Sequence, residues 1–159
     1  MADLTPLDEK LAEVLGLAQA AQDTTAHVAK MEGADDFREQ LEGMGKEAGE
    51  TERRTDAHID TLEGRKTAIR EKALETKGEA AEMREAYLEG EEEALDGFEF
   101  LTMAEAGEFG HWEIVQTMAR TLGDDSVSEL AGWAVEVQRR HFDGVRASGL
   151  TLAEEEVKS

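Results

Sequence analysis

The sequence contains no cysteine and a single proline, and aromatic residues make up only 5% of its 159 residues. The absence of cysteine excludes disulfide bonds, thiolate catalysis and cysteine-ligated zinc. No apolar run is long enough to cross a membrane, and residues 1–14 lack the basic and apolar segments of a signal peptide. We therefore expect a soluble, cytoplasmic protein.

Basic residues are also scarce, because 17 lysines and arginines stand against 38 acidic residues, giving a net charge of −21. Phosphate groups are recognised by clustered lysine and arginine, so we expect no binding to nucleic acid or to an anionic membrane. A strongly acidic surface keeps a protein in solution, and it also suits metal ions or a cationic partner. The charge alone leaves these alternatives open.

The apolar residues that are present are mostly alanine and leucine, which favour helices over strands. They recur every three or four positions in segments that glycines and capping residues separate. Thr5 before Pro6 is typical of a helix start, and residues 36–39 and 126–129 have the form of capping boxes. These patterns predict helices over residues 5–31, 36–63, 66–89, 91–122 and 126–147, followed by a frayed tail at 148–159.

One domain over residues 1–159 is expected, because the chain has the length of a single domain and no long polar linker. Short connections predict that the first two helices, and likewise the last two, are antiparallel neighbours. Residues 66–89 are helical in composition but weakly patterned, which indicates a crossover or lid. We therefore predict an all-α fold, an antiparallel four-helix bundle with a long helical crossover between its second and third helices.

Two glutamates interrupt the apolar stripe of the segment 91–122. Glu105 and Glu108 occupy positions where leucine is expected, and burying a carboxylate costs on the order of several kcal/mol unless it is paired, protonated or metal-bound. His111 follows Glu108 by three residues, so both side chains share one helix face. Counting back from the turn near residue 124 puts Glu136 near the level of His111, and His141 near that of Glu105. We predict that these five side chains converge on core-facing positions halfway along the bundle.

Each of these residues also has a structural explanation. A Glu-x-x-His unit such as Glu108 to His111 arises by chance in a chain this rich in glutamate. His141 alone fits a core histidine, and Glu136 can form a surface ion pair with Arg139 that contributes little to stability. The coincidence of the acidic positions with an apolar stripe nevertheless favours a functional site.

Several segments resemble the ferritin-like superfamily. Residues 104–114, 122–125 and 138–141 are similar to the second half of rubrerythrin–ferritin-type bundles, and 47–53 to the second helix of the small, stress-associated YciF-like branch. The resemblance implies a dinuclear iron or manganese centre, to which two helices each give a glutamate and two give Glu-x-x-His. In this sequence Glu108 and His111 match one Glu-x-x-His motif of the superfamily. Carboxylates from the second helix would then be Glu47 and Glu50.

Other positions depart from that pattern. The first helix has Gln19 and Gln22 where a glutamate is expected, and Arg139 stands three residues after Glu136 where a histidine is expected. Three hypotheses are open: a metal-binding protein, a non-enzymatic bundle with a degenerate site and a structural or stress-associated role, and an acidic interaction module, each as a monomer or homo-oligomer. The first would hold one or two iron or manganese ions through Glu105, Glu108, His111, Glu136, His141, Glu47 and Glu50.

Overall fold

The structure, a computed structural model, describes residues 3–159, and regular structure in that range is helical. A short 3-10 turn, Asp35–Phe37, precedes the second of five α-helices. The helices are α1 Pro6–Ala29, α2 Arg38–Ile59, α3 Lys66–Leu88, α4 Ala94–Leu122 and α5 Asp125–Lys158. The prediction of an all-α chain is therefore confirmed. Within residues 3–159, none of these helices combines the length and apolarity needed to cross a bilayer.

The first helix begins where the sequence predicts. The Thr5 hydroxyl accepts a hydrogen bond from the backbone N–H of Asp8 at 3.0 Å, and the Asp8 carboxylate accepts one from the Thr5 N–H at 3.0 Å. Pro6 occupies the first helical position, where no N–H is needed. Asp8 is buried and also pairs with Arg65 at 2.9 Å, which ties the start of α1 to the connection before α3.

The two predicted capping boxes are wrong. Asp36 lies within the 3-10 turn Asp35–Phe37, and α2 follows Phe37 without a side-chain cap. The cap of α5 is Asp124, whose carboxylate accepts a hydrogen bond from the N–H of Val127 at 3.0 Å. Gly123 adopts φ of 71° at the end of α4, so the turn is tight enough to bring Asp124 to the next helix start.

The helices pack in a defined order: α1 contacts α2, α3 and α4, whereas α5 contacts α4 and α2. The buried apolar side chains form two main clusters along α4. One cluster contains Phe98 and Leu101, and the other contains Trp112 and Val115. Residues 102–111 lie between the clusters, so this stretch is where α4 can carry buried polar side chains without breaking either apolar cluster.

Helix α3 packs mainly on α1, through a third cluster in which Ile69 and Ala73 contact Leu15. Its buried residues are Ile69, Ala73 and Leu88, so it is anchored near its two ends. The connection after α3 is held by a backbone pair, because Glu32 donates to the Glu92 carbonyl at 2.9 Å. No residue between Ala73 and Leu88 of α3 is buried, in keeping with the predicted crossover or lid.

The last helix does not end near residue 147 but continues to Lys158, so the predicted boundary of the tail is wrong. Two contacts explain the extension. The Ser148 hydroxyl donates a hydrogen bond to the Gln40 side chain at 2.7 Å, and Leu152 is buried in the cluster around Phe98. Both contacts are made with helices distant in sequence, so they cannot be predicted from the sequence of the acidic tail alone.

Candidate functional site

Two buried glutamates lie between the two apolar clusters of α4. Glu105 is 2% exposed and Glu108 is 5% exposed, and their spacing of three residues puts them on one face of the helix. On α5, Gln138 and His141 are also buried and also three residues apart. We call these four residues the polar layer. The predicted burial of Glu105, Glu108 and His141 is confirmed.

The two glutamates of the polar layer differ in their hydrogen bonds. The amide Nε2 of Gln138 donates to Oε2 of Glu108 at 2.7 Å. Oε2 of Glu105 is buried and has no hydrogen-bond partner, and Nδ1 of His141 lies 3.9 Å from it. A buried polar oxygen without a donor is destabilising. Glu105 is therefore the residue of the layer with a buried acceptor atom that receives no hydrogen bond.

Burial raises the pKa of Glu105 to about 8. Burial also raises the pKa of Glu108 well above 4.5, and the neighbouring Glu105 raises it further, which outweighs the opposite effect of the Gln138 hydrogen bond. Taking a carboxylate out of water disfavours its charged form, and a second carboxylate nearby adds repulsion. Burial therefore favours the protonated form of both carboxyls.

His141 links the polar layer to the surface. Its Nε2 lies 3.0 Å from Oε1 of Glu47, while Glu47 also accepts two hydrogen bonds from the Arg140 guanidinium, at 2.8 and 3.2 Å. The Arg140 hydrogen bond is the main reason that the pKa of Glu47 is lowered, with a smaller contribution from His141. Burial lowers the pKa of His141, which favours the neutral ring. With Glu47 ionised, Nε2 carries the ring hydrogen and Nδ1 faces Glu105 with a lone pair.

His111 is not a member of the polar layer. Its side chain is 39% exposed, its Nδ1 lies 2.8 Å from the Gly107 carbonyl of the same helix, and its Nε2 lies 3.6 Å from Glu13 of α1. The first distance assigns the ring hydrogen to Nδ1 as a donor within α4. His111 therefore shares a helix face with Glu108, as predicted, but bonds elsewhere.

Two further predicted site residues lie outside the site. The prediction that Glu136 faces the core is wrong, because its side chain is 70% exposed and lies 3.7 Å from Arg139. Glu50 forms ion pairs with Arg53 and Arg54 at 2.6 and 2.9 Å, and hydrogen bonds from these two residues lower its pKa to about 2. Neither carboxylate reaches the polar layer.

The sequence reasoning missed Gln138 and Arg140. The signal for Gln138 is its place three residues before His141, the same spacing that links Glu105 with Glu108. Arg140 adjoins His141 and carries the charge that holds Glu47. A smaller network of the same kind joins α1 to α2, where the amides of Gln22 and Gln19 donate to Glu52 at 2.7 and 3.1 Å. Amide and guanidinium groups of the chain itself thus donate hydrogen bonds to most of these carboxylates.

The residues present do not fit a metal centre. Among residues 3–159, no three histidine, aspartate or glutamate side chains converge so that they could hold an ion. Glu47 and Glu105 lie on different ring nitrogens of His141, so the three cannot share one ion without rearrangement. Glu108 faces the Gln138 amide nitrogen, which donates a hydrogen bond and is no metal ligand.

No protein-family model matches the chain, and neither a curated protein nor a solved structure shows significant similarity to it. The ferritin-like resemblance therefore stays a prediction. Within the interior of residues 3–159, the polar layer is a feature that packing alone does not require.

Proposed function

We propose that the chain is a ferritin-like four-helix bundle with a degenerate interior site, and that it works by binding rather than by metal-dependent catalysis. The contacts of α1 with α2, α2 with α5, α5 with α4 and α4 with α1 support this arrangement, since they close a ring of four helices. In this proposal α3 is the crossover on the outside of α1. The single observation behind the degenerate site is the Gln138–Glu108 hydrogen bond at 2.7 Å.

That hydrogen bond matters because a metal centre needs free carboxylate oxygens. Glu108 gives one oxygen to an amide N–H, and Glu47 gives both oxygens to Arg140. Arg140 supplies a fixed positive charge to the carboxylate that α2 would otherwise offer to a cation. Burial favours the neutral, protonated form of Glu105 and Glu108, which lowers the negative charge of the interior without a metal ion.

Iron or manganese binding is the second candidate function. It is favoured by the unpartnered Oε2 of Glu105, since a cation there would satisfy it. Glu47, Glu108 and His141 would have to release their present partners to join Glu105 around an ion. His111, Glu136 and Glu50 would not take part without larger movements. Stress protection, a cytoplasmic location, a homo-oligomeric state and an acidic interaction module remain predictions.

One double variant separates the two candidates. Replacing Glu108 and Gln138 by leucine removes both partners of a buried hydrogen bond and leaves neither unpaired, so the proposed metal-free fold should keep or raise its melting temperature. The single variant Glu108→Leu serves as the comparison, because it strands the Gln138 amide and should be less stable than the double variant.

Manganese(II) and iron(II) titrations of the wild-type protein complete this test. We expect no stoichiometric uptake and no shift in melting temperature with either ion. Uptake of one or two ions per chain that both leucine variants lose would refute the degenerate-site proposal and favour the metal-binding function. The variant Glu136→Gln is the matched control, since it removes an exposed carboxylate and should change neither result.

A further inference from the structure

A cavity of about 310 Å³ lies between α1, α3 and α4, on the side of α4 that faces away from the α2–α5 contact. This volume lies at the lower end of the range for small-molecule sites in proteins. Its lining includes side chains from all three helices, among them Leu17, Ala20, Met83, Phe100 and Ala104. The alanines leave room that larger side chains would fill.

The walls of the cavity are mostly apolar, and two of its four polar residues are glutamates. Glu105, Glu108, His111 and Thr24 contribute to the lining. In the part of the chain that the structure describes, no lysine or arginine lines it. An anionic ligand would meet two carboxyl groups without a compensating charge, so the chemistry of the lining favours a cation.

Glu105 gives the cavity a specific requirement. Its side chain lines the cavity although the residue is only 2% exposed, and its Oε2, which has no hydrogen bond, lies 3.9 Å from Nδ1 of His141 on α5. A ligand ammonium group in the cavity would pair with this carboxyl as it releases its proton, and a charge-assisted hydrogen bond of this kind is about twice as strong as a neutral one. Two glutamates without a lysine or arginine among the described residues of this wall therefore favour a ligand with a cationic nitrogen close to α4.

The outer wall of the cavity is the weakly held middle of α3. Ala80 and Met83 contribute to the lining, although they lie between the anchoring residues Ala73 and Leu88. Met83 is 63% exposed, so one side of the wall is in contact with solvent. A ligand can reach the interior here by displacing few packed atoms.

We propose that this cavity binds a small organic cation, with a primary ammonium group at Glu105 and an apolar body among α1, α3 and α4. The proposal rests on the binding function proposed above, and it names the class of ligand. The ammonium group takes the place of the Glu105 proton and pairs with the carboxylate that remains at the cavity wall. The apolar body replaces empty volume by contacts with alanine, leucine, methionine and phenylalanine side chains.

Isothermal titration calorimetry with four simple probes tests both halves of the ligand. The probes are 2-phenylethylamine, its neutral analogue 2-phenylethanol, its anionic analogue 3-phenylpropionate, and ethylamine, which lacks the apolar body. We expect saturable binding of one 2-phenylethylamine per chain, about tenfold or more tighter than the alcohol and ethylamine, and no binding of the carboxylate. Equal affinity for the amine and the alcohol, or non-saturable uptake of both amines, would overturn the proposal.

Three variants assign the binding to the cavity. Glu105→Gln keeps the shape of the side chain but cannot form a carboxylate when the amine binds, and should weaken 2-phenylethylamine binding about tenfold or more. Ala80→Phe fills the cavity from the loosely packed helix and should weaken binding of the amine and the alcohol alike. Glu113→Gln removes an exposed carboxylate of α4 and should leave the affinity unchanged. If Glu105→Gln and Ala80→Phe both bind like the wild-type protein, the cavity is not the site.

The same preparation titrated with manganese(II) distinguishes the two proposals. Absence of amine binding together with absence of metal uptake refutes the ligand class and leaves the degenerate site standing. Stoichiometric metal uptake refutes the degenerate site, and with it the reason for assigning Glu105 to an organic cation.

Discussion

Replacing Glu105 by glutamine should change how the stability of the protein depends on pH. In the folded chain, burial raises the pKa of Glu105 to about 8, whereas the unfolded chain ionises near the ordinary value of 4.5. When the pH is below this ordinary pKa, Glu105 is protonated in both the folded and the unfolded chain, and its contribution to stability is at its most favourable. As the pH rises from there, the unfolded state loses its proton first, so stability falls until the folded state ionises as well.

The size of this effect follows from the two pKa values. A folded chain that retains one proton more than the unfolded chain loses about 1.4 kcal/mol of stability per pH unit. Between 4.5 and about 8, the loss from Glu105 alone accumulates to about 5 kcal/mol. Glutamine has nearly the same shape and does not titrate. Glu105→Gln should therefore match the wild-type protein most closely in acid and exceed its stability increasingly toward pH 8.

Urea denaturation between about pH 5 and pH 9 measures this difference as a free energy of unfolding. Burial lowers the pKa of His141 and so gives a slope of the opposite sign, but that slope is common to both proteins and cancels in the comparison. A remaining fall in the variant belongs to Glu108, whose pKa is also raised by burial. Glu113→Gln controls for the change in net charge. Parallel curves for wild type and Glu105→Gln would refute the assignment of a buried, protonated carboxyl.

Two further predictions concern the helices themselves. Thr5→Ala removes the side-chain half of the capping box with Asp8 and should lower the free energy of unfolding by about 1 kcal/mol, measured by urea denaturation. Gly16→Ala would press a Cβ against the backbone carbonyl of Ala73 where α1 meets α3, and should cost about 1–3 kcal/mol. Gly110→Ala, which meets no atom within 4 Å, should instead raise the melting temperature through its better helix propensity. Equal effects of the two glycine changes would contradict the close approach of α3.

The helices were predictable because local chemistry specifies their ends. Gly33, Gly64 and Gly123 have φ values of 87°, 84° and 71°, the left-handed region that glycine adopts without strain; Gly123 caps α4 directly, and the other two lie in the connections after α1 and α2. The end of α5 could not be predicted in the same way. Its last turns depend on contacts of Ser148 and Leu152 with other helices, and the composition of the tail does not predict such contacts.

The candidate site was predictable in its α4 half. Glu105 and Glu108 fall on an apolar stripe, and a stripe specifies which face of a helix is buried. For α5, counting residues from the turn gives the level along the bundle but not the direction in which a side chain points. Successive residues turn by about 100°, so Glu136 points about 200° away from Gln138 and therefore outward. The stripe that contains His141 instead passes through Gln138.

Glu105 remains the informative residue, because packing alone would favour a different one. A glutamine would fill the same space and would not titrate, and a leucine would remove the unpartnered oxygen altogether. If Glu105→Gln is more stable than wild type near pH 8 and also binds 2-phenylethylamine more weakly, one carboxyl lowers stability and supports binding. If the variant is more stable but binds the amine equally well, the buried carboxyl is a structural liability that lies beside the ligand. Measuring both stability and amine affinity of Glu105→Gln therefore shows whether Glu105 takes part in binding or only lowers the stability of the fold.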